Sequence, residues 1–177
     1  MNFLKNTLKA GLFVLPLFVA TGLSAQKINQ ASSAVKVTGT STAHDWEMNA
    51  TGATFTGVVN GDAITNVTLV VPVKNLKSGK SMMDNKTYDA LKASKSPNVT
   101  FTASSINVGK SNVSGKLSIA GVTKTVSFPV SVVKKGDSYV IDGTETVKLS
   151  EFGMDRPGML GMKTGDVVTV KVNVVAK

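Results

Sequence analysis

Apolar residues recur at every second position along most of this chain, and that period constrains its fold more than any other feature. Trp46, Met48 and Ala50 show it, as do Val67, Leu69, Val71 and Val73, and again Val99, Phe101 and Ala103. The longest run holds Val122, Val126, Phe128, Val130 and Val132, interrupted by Lys124. Tyr139, Ile141, Val147 and Leu149 follow, with Gly143 and Glu145 between them, and Val168, Val170, Val172 and Val174 end the series. Successive side chains of a strand point to opposite faces, so this spacing describes strands with one face on a core and one in water. The abundant Val and Thr suit a pleated backbone, where β-branching costs little. Glycine turns separate the runs at Asn60-Gly61-Asp62, Val108-Gly109-Lys110, Ala120-Gly121, Lys135-Gly136-Asp137 and Thr164-Gly165-Asp166. The pattern predicts an all-β domain of about eight or nine strands, joined by short turns into an antiparallel meander that closes as a barrel.

Two segments break the period. Within residues 78–96, Met82, Met83, Tyr88 and Leu91 fall near helical spacing and Pro97 stops a helix, which predicts a short helix from about Met83 to Ala93. Lys86, Asp89 and Lys92 would then face outward. Residues 150–163 hold glycines, a proline and methionines, and are expected to lie as a loop over something apolar. Met82, Met83, Met154, Met159 and Met162 all fall in these two segments. Such flexible, polarisable side chains suit a surface that adapts to a long apolar ligand, and equally suit ordinary packing at a barrel end.

The first 25 residues read differently. Lys5 and Lys9 precede an apolar run from Ala10 to Val19, and small residues follow up to Ala25. The run is shorter than the roughly 20 residues of a membrane span. It reads as a secretory signal peptide, cut after Ala25 to leave Gln26 first or, since Leu23 is large for the −3 position, after Ser24 or Gly22. An uncut membrane anchor is the alternative, and residues 26–177 form one domain. The chain has no cysteine, which excludes disulfides, thiolate metal sites, cysteine nucleophiles and a lipoprotein anchor, and its single histidine excludes a histidine metal cluster. The formal charge of +9 is carried by scattered lysines with one arginine, Arg156. With 6% aromatic residues, this is a poor surface for nucleic acid and suits solvated strand edges or weak attraction to anionic headgroups. A single Trp and two Tyr do not make the aromatic girdles of a membrane-spanning barrel.

No catalytic constellation stands out, and no enzyme activity and no cofactor are expected. His44 and Asp45 are adjacent, but neighbouring strand residues face opposite ways, and there is no Gly-x-Ser-x-Gly elbow or phosphate-cradling glycine loop. His44 is expected as a polar contact at a cavity mouth or a satisfied structural histidine.

Several pieces in order resemble the YceI-like family of exported bacterial lipid-binding proteins. They are Gly39-Thr-Ser-Thr-Ala-His-Asp-Trp46, Met83-Asp84 with Tyr88-Asp-Ala-Leu91, Ser96-Pro97-Asn-Val99-Thr-Phe101, Gly115-Lys-Leu-Ser-Ile-Ala-Gly-Val-Thr-Lys124, and Phe152-Gly-Met154. The resemblance runs from about Val35 to Val175. It implies a lipocalin-like, antiparallel eight-stranded barrel with a helical insertion, an apolar tunnel, and a polyisoprenoid or other long-chain lipid as ligand in the periplasm. Where many relatives carry Arg-Asp this chain has Met83-Asp84, so a basic head-group partner is either absent or supplied by Lys80 or Lys86. The expected inward residues are Trp46, Phe55, Leu69 and Phe101, with Leu117, Ile119, Phe128 and Ile141. Met83, Tyr88, Leu91, Phe152 and Met154 are expected near an entrance, where the helix acts as a gate and its lysines meet anionic membrane headgroups. A barrel filled by its own side chains would instead make the chain a ligand-free module for binding another protein, so an open or packed interior decides between the two.

Overall fold

A computed structural model describes residues 25–156, 158–159 and 162–177. The expected signal segment, residues 1–25, lies outside the described residues except for Ala25. The strands are β1 (Gln26–Ser41), β2 (Trp46–Thr51), β3 (Thr54–Asn60), β4 (Ala63–Pro72), β5 (Asn98–Asn107), β6 (Gly109–Ile119), β7 (Val122–Lys135), β8 (Ser138–Lys148), β9 (Gly158–Met159) and β10 (Met162–Ala176). One α-helix, α1 (Ser81–Ala90), and two 3-10 turns, Val73–Asn75 and Leu149–Phe152, interrupt them.

The strands follow one another round an antiparallel sheet, and β1 pairs with β10 to close it. β2 and β3 lie end to end on the other edge of β1 in one continuous register, from Gly39↔Trp46 through Ala34↔Thr51 to Asn29↔Thr56. They are therefore one barrel strand broken at Gly52-Ala53, and the closed barrel has eight strands, as the alternation and the resemblance predict. The Ala120-Gly121 turn is a two-residue hairpin between Ile119 and Val122, with φ of 52° and 85°. Positive φ at both positions is the geometry that matches strand twist.

Because every neighbour is antiparallel, the connections sort to two ends. The β3–β4, β5–β6 and β7–β8 turns lie at one. The β1–β2 loop, the α1 segment, the Ala120-Gly121 turn and the stretch after β8 lie at the other. Both sequence segments that lack alternation thus cap the same end. The helix starts earlier and stops sooner than the spacing predicts. It ends in paired bonds from the Lys92 N–H to the Asp89 carbonyl and from the Ala93 N–H to the Tyr88 carbonyl, with Lys92 left-handed at φ 52°.

Candidate functional site

The barrel interior is not filled. It holds a chamber of about 490 Å³, within the usual range for a small-molecule site of roughly 300–1,000 Å³. Its wall is the inward, alternating face of the strands, and nearly all of it is aliphatic or aromatic.

Of the residues expected to face inward, Trp46, Phe55, Leu69 and Phe101 line the chamber, and so do Leu117, Ile119, Phe128 and Ile141. Phe101 of β5 and Phe128 of β7 meet over β6, with ring centroids 5.1 Å apart and planes tilted by 55°. Trp46 covers the backbone of Gly39, where a Cβ would lie 2.4 Å from the indole ring. The Trp46 Nε1–H donates to the Thr40 carbonyl at 2.9 Å, so the ring offers the chamber only its apolar surface.

Of the expected entrance residues, Met83, Leu91 and Met154 line the chamber, whereas Tyr88 and Phe152 do not. The Tyr88 hydroxyl turns to the preceding loop. Its one hydrogen is shared between the carbonyls of Leu76 at 2.9 Å and Lys74 at 3.1 Å, and it accepts from the Lys77 ammonium at 2.6 Å. That donation holds the Lys77 pKa above its ordinary value. Phe152 is 2% exposed and packs in the apolar cluster beneath the helix and turns, beside Leu149. The helical face that reaches the chamber is Met82, Met83, Lys86, Thr87, Ala90 and Leu91. Lys86, expected to face outward, therefore turns to the chamber mouth, while Asp89 and Lys92 are exposed.

Two short clamps hold the capping segments in place. The Asp84 carboxylate, 7% exposed in its residue, accepts from the Ser78 N–H at 2.8 Å and the Ser78 hydroxyl at 2.7 Å. These bonds hold the Asp84 pKa below its ordinary value. Asp166 of β10 does the same for the turn after β8, accepting from the Ser150 N–H at 2.8 Å and the Ser150 hydroxyl at 2.6 Å, and its pKa is lowered for the same reason. Asn49 and Lys77 exchange backbone bonds of 2.8 and 2.9 Å, which dock the loop before α1 on the free edge of β2.

His44 lines the mouth on the β1–β2 loop. Its Nδ1 lies 2.7 Å from the Asp45 carbonyl oxygen. A carbonyl only accepts, so Nδ1 carries the proton when the ring is neutral and Nε2 is left as an acceptor. The ring engages the Asp45 backbone, not its carboxylate. Lys80 and Lys86 complete a basic rim, and Met82 beside them is 60% exposed. Among the described residues no group of acidic and histidine side chains is arranged to hold a metal ion.

Sequence reasoning left out Val35 and Val37 of β1, the inward valines of β10, and Glu145 of β8, all of which line the chamber. The same alternation marks them: Gly143 and Glu145 stand where inward residues must stand between Ile141 and Val147.

A closed antiparallel barrel around an apolar chamber, capped at one end by a helix, defines a class of small-ligand barrel. The YceI-like domain matches residues 26–176, and the chain belongs to that family. Among solved structures it is similar to BcnA of Burkholderia cenocepacia, with a TM-score of 0.70 and 23% identity over 82% of this chain and 96% of that one. It is also similar to a polyisoprenoid binding domain from Saccharophagus degradans implicated in plant cell wall breakdown, with a TM-score of 0.67 and 11% identity over 85% and 97% of the two chains. The YceI protein of Campylobacter jejuni matches with a TM-score of 0.52 and 22% identity over 63% and 71%. At these identities the likeness is one of fold. A comparison with curated proteins finds no match.

Proposed function

We propose that this protein is a non-enzymatic carrier that holds a long apolar lipid, of polyisoprenoid or fatty-acyl type, inside the barrel. The observation that carries the reading is the open, nearly all-apolar chamber of about 490 Å³. A barrel meant only to present its loops would gain stability by filling that space, since an apolar cavity costs roughly 24 cal/mol per Å³ when side chains that would occupy it are missing. The polyisoprenoid-binding neighbour from Saccharophagus degradans supports the ligand class. The predicted signal segment supports export to the periplasm, where the ligand would be met. On this reading the site is formed by the chamber residues His44, Trp46, Phe55, Leu69, Met83, Leu91, Phe101, Leu117, Ile119, Phe128, Ile141 and Met154. Lys80, Lys86 and exposed Met82 form the rim that touches an anionic membrane surface during loading.

Organic extraction and mass spectrometry of the purified protein test this directly. A long-chain lipid recovered in near-equal amount with protein is the expected result. Absence of lipid, together with no uptake of a fluorescent polyprenyl or acyl probe, would overturn it. N-terminal sequencing of the mature protein from a periplasmic extract should begin at Gln26.

A further inference from the structure

The ionisable side chains on the chamber wall are His44, Lys80, Lys86 and Glu145. The first three sit at the mouth, on the β1–β2 loop and around α1. Glu145 stands on the barrel wall itself. It lies on the inward face of β8 between Gly143 and Val147, opposite Val170 of β10, while Thr144 and Thr146 face solvent. On its other side the β7–β8 ladder stops at Val130↔Gly143, so no β7 residue pairs with it. The Phe128 ring lies over Gly143 instead, where a Cβ would meet it at 3.3 Å.

Glu145 is thus a carboxyl group in an apolar wall. The ion pairs among the described residues are Lys36 with Glu47 and Lys148 with Glu151, and Glu145 is in neither. Burial raises its pKa, and the Thr146 backbone N–H is the one neighbour that opposes the shift. Thr164 Oγ1, near the mouth, also lines the chamber and is itself buried with no partner among the described residues. Glu145 itself is half-buried and has the Thr146 N–H beside it. One N–H leaves most of the carboxylate's lone pairs facing the chamber, where a plain hydrocarbon chain would displace water and offer no donor in return.

We propose that Glu145 receives a hydrogen-bond donor of the bound molecule. The chamber would then select a long chain bearing a hydroxyl, amide or amine at that depth over one presenting a carboxylate or phosphate there. This rests on the carrier reading and names the ligand class within it. Anionic groups are left to the lysines of the rim, and the interior takes a donor.

The test is displacement of Nile red from the chamber by hexadecanol, hexadecanamide and hexadecanoate, in the natural protein and in Glu145→Gln and Glu145→Leu variants, each checked by thermal melting. The natural protein should hold the amide and alcohol about tenfold tighter than the acid, the ratio expected of one hydrogen bond to a charged acceptor. Glu145→Leu should erase that preference. Glu145→Gln, close in shape and still an acceptor, should keep the amide and alcohol and admit the acid. An unchanged ratio in Glu145→Leu overturns the role of Glu145 and leaves the carrier reading standing. Failure of the natural protein to bind Nile red or any of the chains overturns both.

Discussion

A Cβ placed on Gly115 would lie 2.4 Å from the Thr102 carbonyl oxygen and 2.5 Å from the Phe101 ring. Gly115 of β6 lies between β5 and β7, and its missing side chain lets Phe101 fold down against the sheet, where it meets Phe128 with planes tilted by 55°. Gly115→Val should therefore destabilise the protein by about 2–3 kcal/mol, an overpacking cost, read as a lower urea midpoint. It should also displace Phe101 and change the chamber. The glycine itself was plain in the sequence, within the longest family motif. The contact that demands it was not, because the register of β5 against β6 sets which ring it meets. The inward aromatic residues were legible for a simpler reason. Alternation fixes a strand's face, and one correct assignment fixes every second residue on it.

At the scale of elements, the helix was harder to read than the strands. Met83 and Tyr88 are five positions apart, which on a helix of 3.6 residues per turn puts them on different faces. Thr87 and Leu91 are the residues in step with Met83, and these line the chamber. An α-helix tolerates a polar Thr in that stripe because the hydroxyl finds a partner, here the Met48 sulfur at 3.3 Å. This geometry separates two roles that a sequence pattern merges. Met83→Asp should weaken lipid retention with little change in melting temperature, because Met83 is only half-buried and the strands keep their own core. Tyr88→Phe should do the reverse. It removes the hydroxyl that ties the helix to the Leu76 and Lys74 carbonyls, which should cost about 1 kcal/mol, while leaving the chamber wall unchanged. Lipid occupancy by native mass spectrometry, set against the melting temperature of each variant, checks both. Equal retention in the two variants would remove α1 from the mouth's function. Residues 150–163 are expected as a loop over something apolar. Instead the segment begins in the Leu149–Phe152 3-10 turn, packed on the apolar cluster, and Gly158–Met159 pairs with Met162 and Lys163 as a short ladder. The inward burial of Phe152 beside Leu149 follows from the three-residue period of a 3-10 turn, which alternation does not reveal.

For the molecule as a whole, both capping segments hang on aspartates whose pKa values are depressed. A depressed carboxylate stabilises the folded state above its unfolded value and loses that contribution as pH falls through its folded value. Glu145 leans the other way: its raised pKa favours the folded state at low pH and disfavours it as the group ionises. The clamps and the chamber wall are thus oppositely tuned. As pH drops below the ordinary aspartate value of 3.8, the melting temperature should fall and bound probe should be released as the mouth loosens. A double Asp84→Asn, Asp166→Asn variant should flatten that acid limb, and a limb of unchanged steepness would show that other carboxylates set it.

The closure of the barrel by its first and last strands has a consequence for how the chain is assembled. The Asn29 N–H donates to the Lys177 carbonyl and the Lys177 N–H to the Asn29 carbonyl, each at 3.0 Å. The seam of the wall therefore joins the two extremes of the domain, and no partial chain that lacks β10 can form a closed interior. Barrels dominated by such distant pairings fold slowly. Because the two extremes lie side by side, a short linker should join them without strain. New ends could then be opened at the Gly136 hairpin, whose backbone is exposed. Such a circular permutant should reach the same barrel and the same chamber by a different order of strand addition, with an altered refolding rate and an unaltered ligand.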